Sequence, residues 1–286
     1  MILQLVLILV LAPFIQGVIG TVRARLSGRP GSPPWQPYRD LRKLVRKEHR
    51  TARSSSRWLQ ATPGLTLGIA LSIVLLIPPV VGLKSALLPF DAILLAFLFA
   101  LGRAALLVTA LDTGSQFGAI GVGRELTFAA ITEAPLVLAL LGGAVLGRSS
   151  PLHANESYVL GSLLAGSALF LVLLFESARV PVDNQETHYE LTMIHEALLL
   201  EFSGANLAIL QYASYLRQAA LVALLAFVLS GTGIPDVLAL LIVVAAIPFV
   251  EAFQAKLRLF EVPQLASTAT ILAIAAIGFD LIGAGR

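Results

Sequence analysis

The sequence predicts an all-α, polytopic integral membrane protein with eight transmembrane helices and one short amphipathic helix at the membrane surface. Two observations carry this. Of the 286 residues, 57% are hydrophobic and 13% are charged, about half the charge of an ordinary soluble domain. The apolar residues also fall in long runs, such as Leu65–Ile77 and Leu238–Val250. A helix solvated by lipid needs roughly 20 mostly apolar residues, and these segments lack the polar face that a helix in a soluble core would carry.

The spans expected along the chain are Met1–Val22, Leu65–Leu83, Pro89–Leu111, Leu126–Leu146, Tyr158–Phe175, Ala205–Leu229, Val237–Phe253 and Gln264–Leu281. The sixth is the weakest, being polar around Gln211 and containing Arg217; without it the count is seven. The first reads as a retained span rather than a cleavable signal, since it has no basic n-region and no A-x-A-like site. The whole chain, 1–286, forms one transmembrane domain, with a basic loop at 23–60 and an acidic loop at 176–204.

Charge sets the orientation. Arg23–Arg57 holds 11 of the 20 Lys and Arg residues. Translocating it is unfavourable, so the loop is expected in the cytoplasm and both termini outside. A nucleic-acid partner is excluded as the reason for the basic balance, because the basic stretch lies between two membrane spans. The chain has no cysteine, so it cannot hold an iron–sulfur cluster or a zinc ion through thiolates. Electron-transfer centres are therefore expected in partner subunits, and no cofactor or metal on this chain.

Three loops carry the polar chemistry. In the first, Gly28–Pro37 (GRPGSPPWQP) has four prolines and two glycines, which exclude a helix there. Tyr38–Glu48 then places Tyr38, Leu41, Leu44 and Val45 at helical spacing among Arg39, Arg42, Lys43, Arg46 and Lys47. This is a basic amphipathic helix for the cytoplasmic interface, suited to anionic lipid or to a soluble partner. The third loop, Asp112–Glu125, has four glycines and reads as flexible. Nine residues after its Arg124 comes Glu133, about 10 Å into the fourth span, where a carboxyl group should face the protein interior or water. The fifth loop, Glu176–Gly204, gathers Glu176, Arg179, Asp183, Glu186, His188, Glu190, His195, Glu196 and Glu201. If the part after Pro181 is helical, Asp183, Glu186, Glu190 and Glu201 share a stripe about 60° wide, with His188 and His195 opposite. Crowded carboxylates raise one another's pKa and keep protons shareable near neutral pH. A solvated acidic loop is the plainer alternative. A zinc site is disfavoured, because His195-Glu196 has no second His four residues on. Of the charges inside spans, Arg103 and Arg217 should snorkel or pair with an acid. Glu251 and Glu261 should form interfacial ion pairs beside Lys256 and Arg258.

These loops resemble subunit 1 of respiratory complex I. The matching residues are Arg25, Gln36, Pro37, Asp40, Lys43, Leu44, Lys47 and Glu48 in the first loop and Arg124 with Glu133 in the third. In the fifth they are Glu176, Arg179, Pro181, Asp183, Glu186 and Glu190, then Glu201, Ser203 and Gly204. The acidic residue that family members carry near the end of the first span is absent from Gly17–Thr21. The longer interval between Leu191 and Glu201 looks more like the corresponding subunit of formate hydrogenlyase, hydrogenase-4 and other energy-converting nickel–iron hydrogenases. The resemblance implies a membrane anchor and coupling subunit, inactive alone, in a bacterial or archaeal cell membrane. Its partners would be a peripheral hydrogenase- or dehydrogenase-like arm and antiporter-like membrane subunits. Iron–sulfur and nickel–iron centres would lie in those partners. The quinone-reductase branch implies instead a share in a quinone chamber. Proton relay is expected at Glu133, Glu176, Asp183, Glu186, Glu190, Glu196 and Glu201. Partner docking is expected at Gln36, Asp40, Arg42, Lys43, Arg46, Lys47, Arg124 and Arg179. An independent secondary transporter is the rival class; the paired broken helices common in such proteins are not evident.

Overall fold

The computed structural model describes residues 2–48, 56–78, 88–146, 156–183, 195–257 and 261–284. Among them are nine α-helices and no strand. The helices are α1 (Ile2–Leu26), α2 (Gln36–Val45), α3 (Trp58–Leu76), α4 (Pro89–Asp112), α5 (Gln116–Leu146), α6 (Glu156–Glu176), α7 (Gly204–Ser230), α8 (Asp236–Phe253) and α9 (Val262–Ala284). All but α2 are long and apolar enough to cross a membrane, giving eight spans. Their outward faces carry large apolar side chains such as Phe90, Phe97 and Phe249, as lipid contact requires.

The helix that the sequence makes least certain, α7, is the most enclosed, with 67% of its apolar window buried. It packs against α1, α2, α3, α6 and α8. Its polar residues serve inside the bundle rather than marking an end. Tyr212 shows how. Pro13 in α1 has no N–H, so the Leu9 carbonyl loses its helical partner; the Tyr212 hydroxyl donates to that carbonyl at 2.9 Å.

Two expectations are corrected. The third loop is not a flexible stretch up to Glu125: α5 begins at Gln116, and only a short turn follows α4. Gly121 makes a close packing contact instead, since a Cβ on it would stand 2.7 Å from the Ala197 side chain. Likewise α3 begins at Trp58, seven residues before the expected start, and ends at Leu76.

The first loop is folded against α1. A Cβ on Gly17 would lie 1.7 Å from the Pro34 carbonyl oxygen. The Thr21 hydroxyl reaches the Ser32 carbonyl at 2.6 Å. Carbonyl oxygens thus face Gly17–Thr21, where the complex I pattern has a carboxylate; acceptor against acceptor would repel. The α2 helix then runs along α1 and α7, with the Tyr38 hydroxyl donating to the Val10 carbonyl. At its end, Gly204 sits at φ +56° with the Lys47 and Glu48 carbonyls about its Cα, a position that glycine accepts and other residues resist. The first and fifth loops therefore meet on one face of the bundle.

Candidate functional site

Arg103, in the middle of α4, is 6% exposed. Inside a membrane an arginine must find counter-charges, and this one gathers three from two neighbouring helices. Its Nε is 3.3 Å from Glu125 on α5. One terminal nitrogen bonds to Glu176 at the end of α6. The other is 3.7 Å from Glu133, two turns beyond Glu125 on α5. The Glu125 and Glu176 side chains are 5% and 7% exposed. Arg217 of α7 lies within electrostatic range of Glu176, Glu125 and Arg103. His195, which precedes a single 3-10 turn at Glu196–Leu199, places Nδ1 3.1 Å from the second oxygen of Glu125. Glu125 pulls the His195 pKa above the ordinary histidine value, against the opposing effect of burial and of Arg217 and Arg103. A cavity of about 20 Å³ lies beside this network, lined by Arg103, Glu125, Thr132, Asp183 and His195 among others. That is room for about one water, far short of the space a ring-sized ligand needs.

A second polar cluster lies on the other side of the fifth loop. Arg179, 6% exposed, donates to Glu251 of α8 at 2.7 Å and to Gln16 of α1. With its amide turned so that both ends are satisfied, Gln218 of α7 accepts from Arg179 and donates to Gln16. Arg23 approaches Glu251 at 3.8 Å, and Lys256 donates to Asp183 at 2.6 Å. A backbone bond from Leu257 to the Pro181 carbonyl, 2.8 Å, fastens the two loops together.

Several expected roles change. Glu133 is not enclosed within the chain: its side chain is 51% exposed, on an α5 face that also exposes Ala130 and Ala134. Arg179 is buried and cannot be a docking residue, because its guanidinium is consumed by Glu251 and the two glutamines. Asp183 follows turns rather than a helix and is tied to Lys256. Glu251 is a buried partner of Arg179, not an interfacial partner of Lys256. Arg103 and Arg217 turn inward; neither snorkels. Gln36, Asp40, Arg42, Lys43, Arg46 and Lys47 are on α2 and its end, mostly exposed, with Gln36 donating to Asp40 at 2.9 Å. Arg124 is partly exposed and Glu201 half-buried. Glu186, His188 and Glu190 lie outside the described residues, as does the side chain of Glu196. Sequence reasoning missed Glu125 and His195 as site residues. The available signal was intramembrane Arg103, whose charge demands acids from the helices beside it.

A buried arginine shared by carboxylates from adjacent spans, beside a loop histidine, is a charged network held inside a polytopic membrane subunit. The chain belongs to the NADH dehydrogenase family, whose pattern matches residues 1–279. It is 32% identical to hydrogenase-4 component C of Escherichia coli K12, covering 77% of this chain and 71% of that one. It is 31% identical to formate hydrogenlyase subunit 4 of the same organism, covering 76% and 72%. In fold it matches a chain of the membrane-bound sulfane sulfur reductase, an archaeal respiratory membrane complex, with a TM-score of 0.74 and 20% identity over 97% of this chain and 99% of that one. By their names these relatives are parts of larger assemblies, and the chain is accordingly a complex I-like membrane subunit.

Proposed function

We propose that the chain is the coupling subunit of a membrane-bound hydrogenase or formate hydrogenlyase-type complex, linking redox chemistry in a peripheral arm to proton translocation. The observation that supports this most strongly is Arg103 holding Glu125, Glu133 and Glu176 together across three spans. Three carboxylates sharing two guanidiniums, Arg103 and Arg217, are one positive charge short. Such a set holds or releases a proton according to what happens at its edge. With no cysteine in the chain, the iron–sulfur and nickel–iron centres belong to partners on the loop face. That face is cytoplasmic by its basic loop, and both termini are outside. Cysteines placed singly at Ser32 and Gly233 test this: an impermeant reagent added outside intact cells should label the second and not the first.

Glu133 supplies the link to a membrane neighbour. A half-exposed carboxylate in mid-span is costly against lipid, and the small residues Ala130 and Ala134 beside it allow a helix to approach closely. An antiporter-like membrane subunit presenting a protonatable or cationic group fits there. Glu133→Gln keeps the shape and hydrogen bonding of the side chain but removes its titration. It should assemble normally and lose most proton translocation, while electron transfer from the arm to an artificial acceptor survives. Wild-type translocation in that variant would remove Glu133 from the route.

A further inference from the structure

We propose that His195 is the proton-exchange group of the Arg103 network, passing protons between loop-side water and Glu125. This rests on the function proposed above and adds to it the point of entry and the nature of the ion. His195 lies on a loop rather than a membrane helix, and its side chain is 23% exposed. Its Nδ1 meets Glu125, 5% exposed, at 3.1 Å. The same His195 and Glu125 line the water-sized cavity with Arg103 and Asp183. The Arg103 terminal nitrogen 3.7 Å from Glu133 has no hydrogen-bond partner among the described residues, which a bound water would supply.

Charge assigns the rest. With Glu125, Glu133 and Glu176 ionised against Arg103 and Arg217, the network carries one excess negative charge; one proton on His195 cancels it. The groups facing the ring are Glu125 from α5, Arg103 from α4, Arg217 from α7 and Asp183 after α6, the last already tied to Lys256. The two arginines disfavour a bare metal cation at the same place. A proton avoids that repulsion because it arrives bound to the ring. In the transfer, a hydronium ion at the loop side protonates Nε2 of neutral imidazole and leaves as water; imidazolium then gives the Nδ1 proton to the Glu125 carboxylate, leaving neutral imidazole and a glutamic acid. A ring flip, or exchange between the nitrogens through water, resets His195. Imidazole is the side chain that titrates near neutral pH. Glu125 holds the charged form to higher pH than usual, so the ion pair is complete below the ordinary histidine value and fades as pH rises through the raised one.

The test uses the assembled complex in inverted membrane vesicles, at matched subunit content. Redox turnover is driven with a viologen dye, and proton uptake is followed with a pH-sensitive dye from about pH 6 to 9, starting near the ordinary histidine value and running upward from it. His195→Gln should lower protons moved per turnover at least about tenfold, the scale of a lost acid–base group, and should flatten the alkaline fall of the profile. His195→Ala should be equally impaired and recover when imidazole is added. Wild-type proton movement and pH profile in His195→Gln would overturn the proposal, as would failure of imidazole to rescue His195→Ala. Glu125→Gln separates the two levels. If it is impaired while His195→Gln is normal, only the histidine role falls; if it too moves protons normally, the network is not the route.

Discussion

Arg103 and Arg179 are the two buried arginines among the described residues, and they are served differently. Glu176, Arg179 and Asp183 lie within eight residues of chain, yet they face two separate clusters. Arg103 receives three carboxylates, one of which also holds His195, with a cavity beside it and a nitrogen left over. Arg179 receives one carboxylate and two amides, which satisfy its fork from α1, α7 and α8. The first cluster has more acids than it can neutralise and space for water; its protonation can change. The second holds its buried arginine with one carboxylate and two amides, groups of which only one titrates as an acid. A buried arginine in a membrane protein thus does not by itself mark a proton route. On the function proposed here, the surplus of titratable partners around Arg103 is what distinguishes it.

The largest expected effect comes from removing Arg103. Arg103→Met would leave three carboxylates without their shared cation, and breaking a buried pair from one side costs about 3–5 kcal/mol. The subunit should fail to accumulate in membranes, as read by immunoblot against a partner subunit. Normal accumulation would mean that the carboxylates are neutral in the native state, which would undo the charge count above.

The Arg179 cluster should respond otherwise. Arg179→Met alone leaves Glu251 buried and mostly unpaired, so it should destabilise by a similar amount. Arg179→Met together with Glu251→Met removes both charges, and replacing a buried pair by apolar side chains of like volume is often neutral. The double variant should regain accumulation and proton movement. If it accumulates but moves no protons, the second cluster is part of the route and the contrast between the two arginines fails.

The sequence showed the spans plainly, because long apolar runs without a polar face leave little choice in lipid. All eight were legible, including α7, whose polar residues made it look weakest and turned out to serve the interior. The site was half legible. Glu133 and Glu176 could be read from their depth and from the complex I pattern. Glu125 could not, because the glycines before it look like a loop, and close packing of Gly121 against Ala197 makes the segment helical instead. Arg179 was read as a docking residue because a charge in a polar loop ordinarily faces water. Its burial depends on Gln16 and Gln218, 163 and 39 residues away, and no local pattern carries that distance.

The smallest effect belongs to α2, where neither arginine cluster reaches. Its Arg42, Lys43, Arg46 and Lys47 are exposed, beside exposed Trp35 and Val45, so each charge meets any partner across solvent. Pairs of that kind are worth about 0–1 kcal/mol each and are screened within about 10 Å at 0.1 M salt. Replacing all four by Gln should therefore leave insertion and the Arg103 network intact. The salt concentration at which the peripheral arm washes off the membrane should fall. The contrast with the buried clusters is the reason: Arg103→Met acts on the fold and resists rescue by buffer, whereas the α2 variant should behave like wild type at low ionic strength and separate from it only as salt is raised. If the arm of the variant is retained at every salt concentration as in wild type, α2 does not dock the arm, and its basic face serves anionic lipid alone.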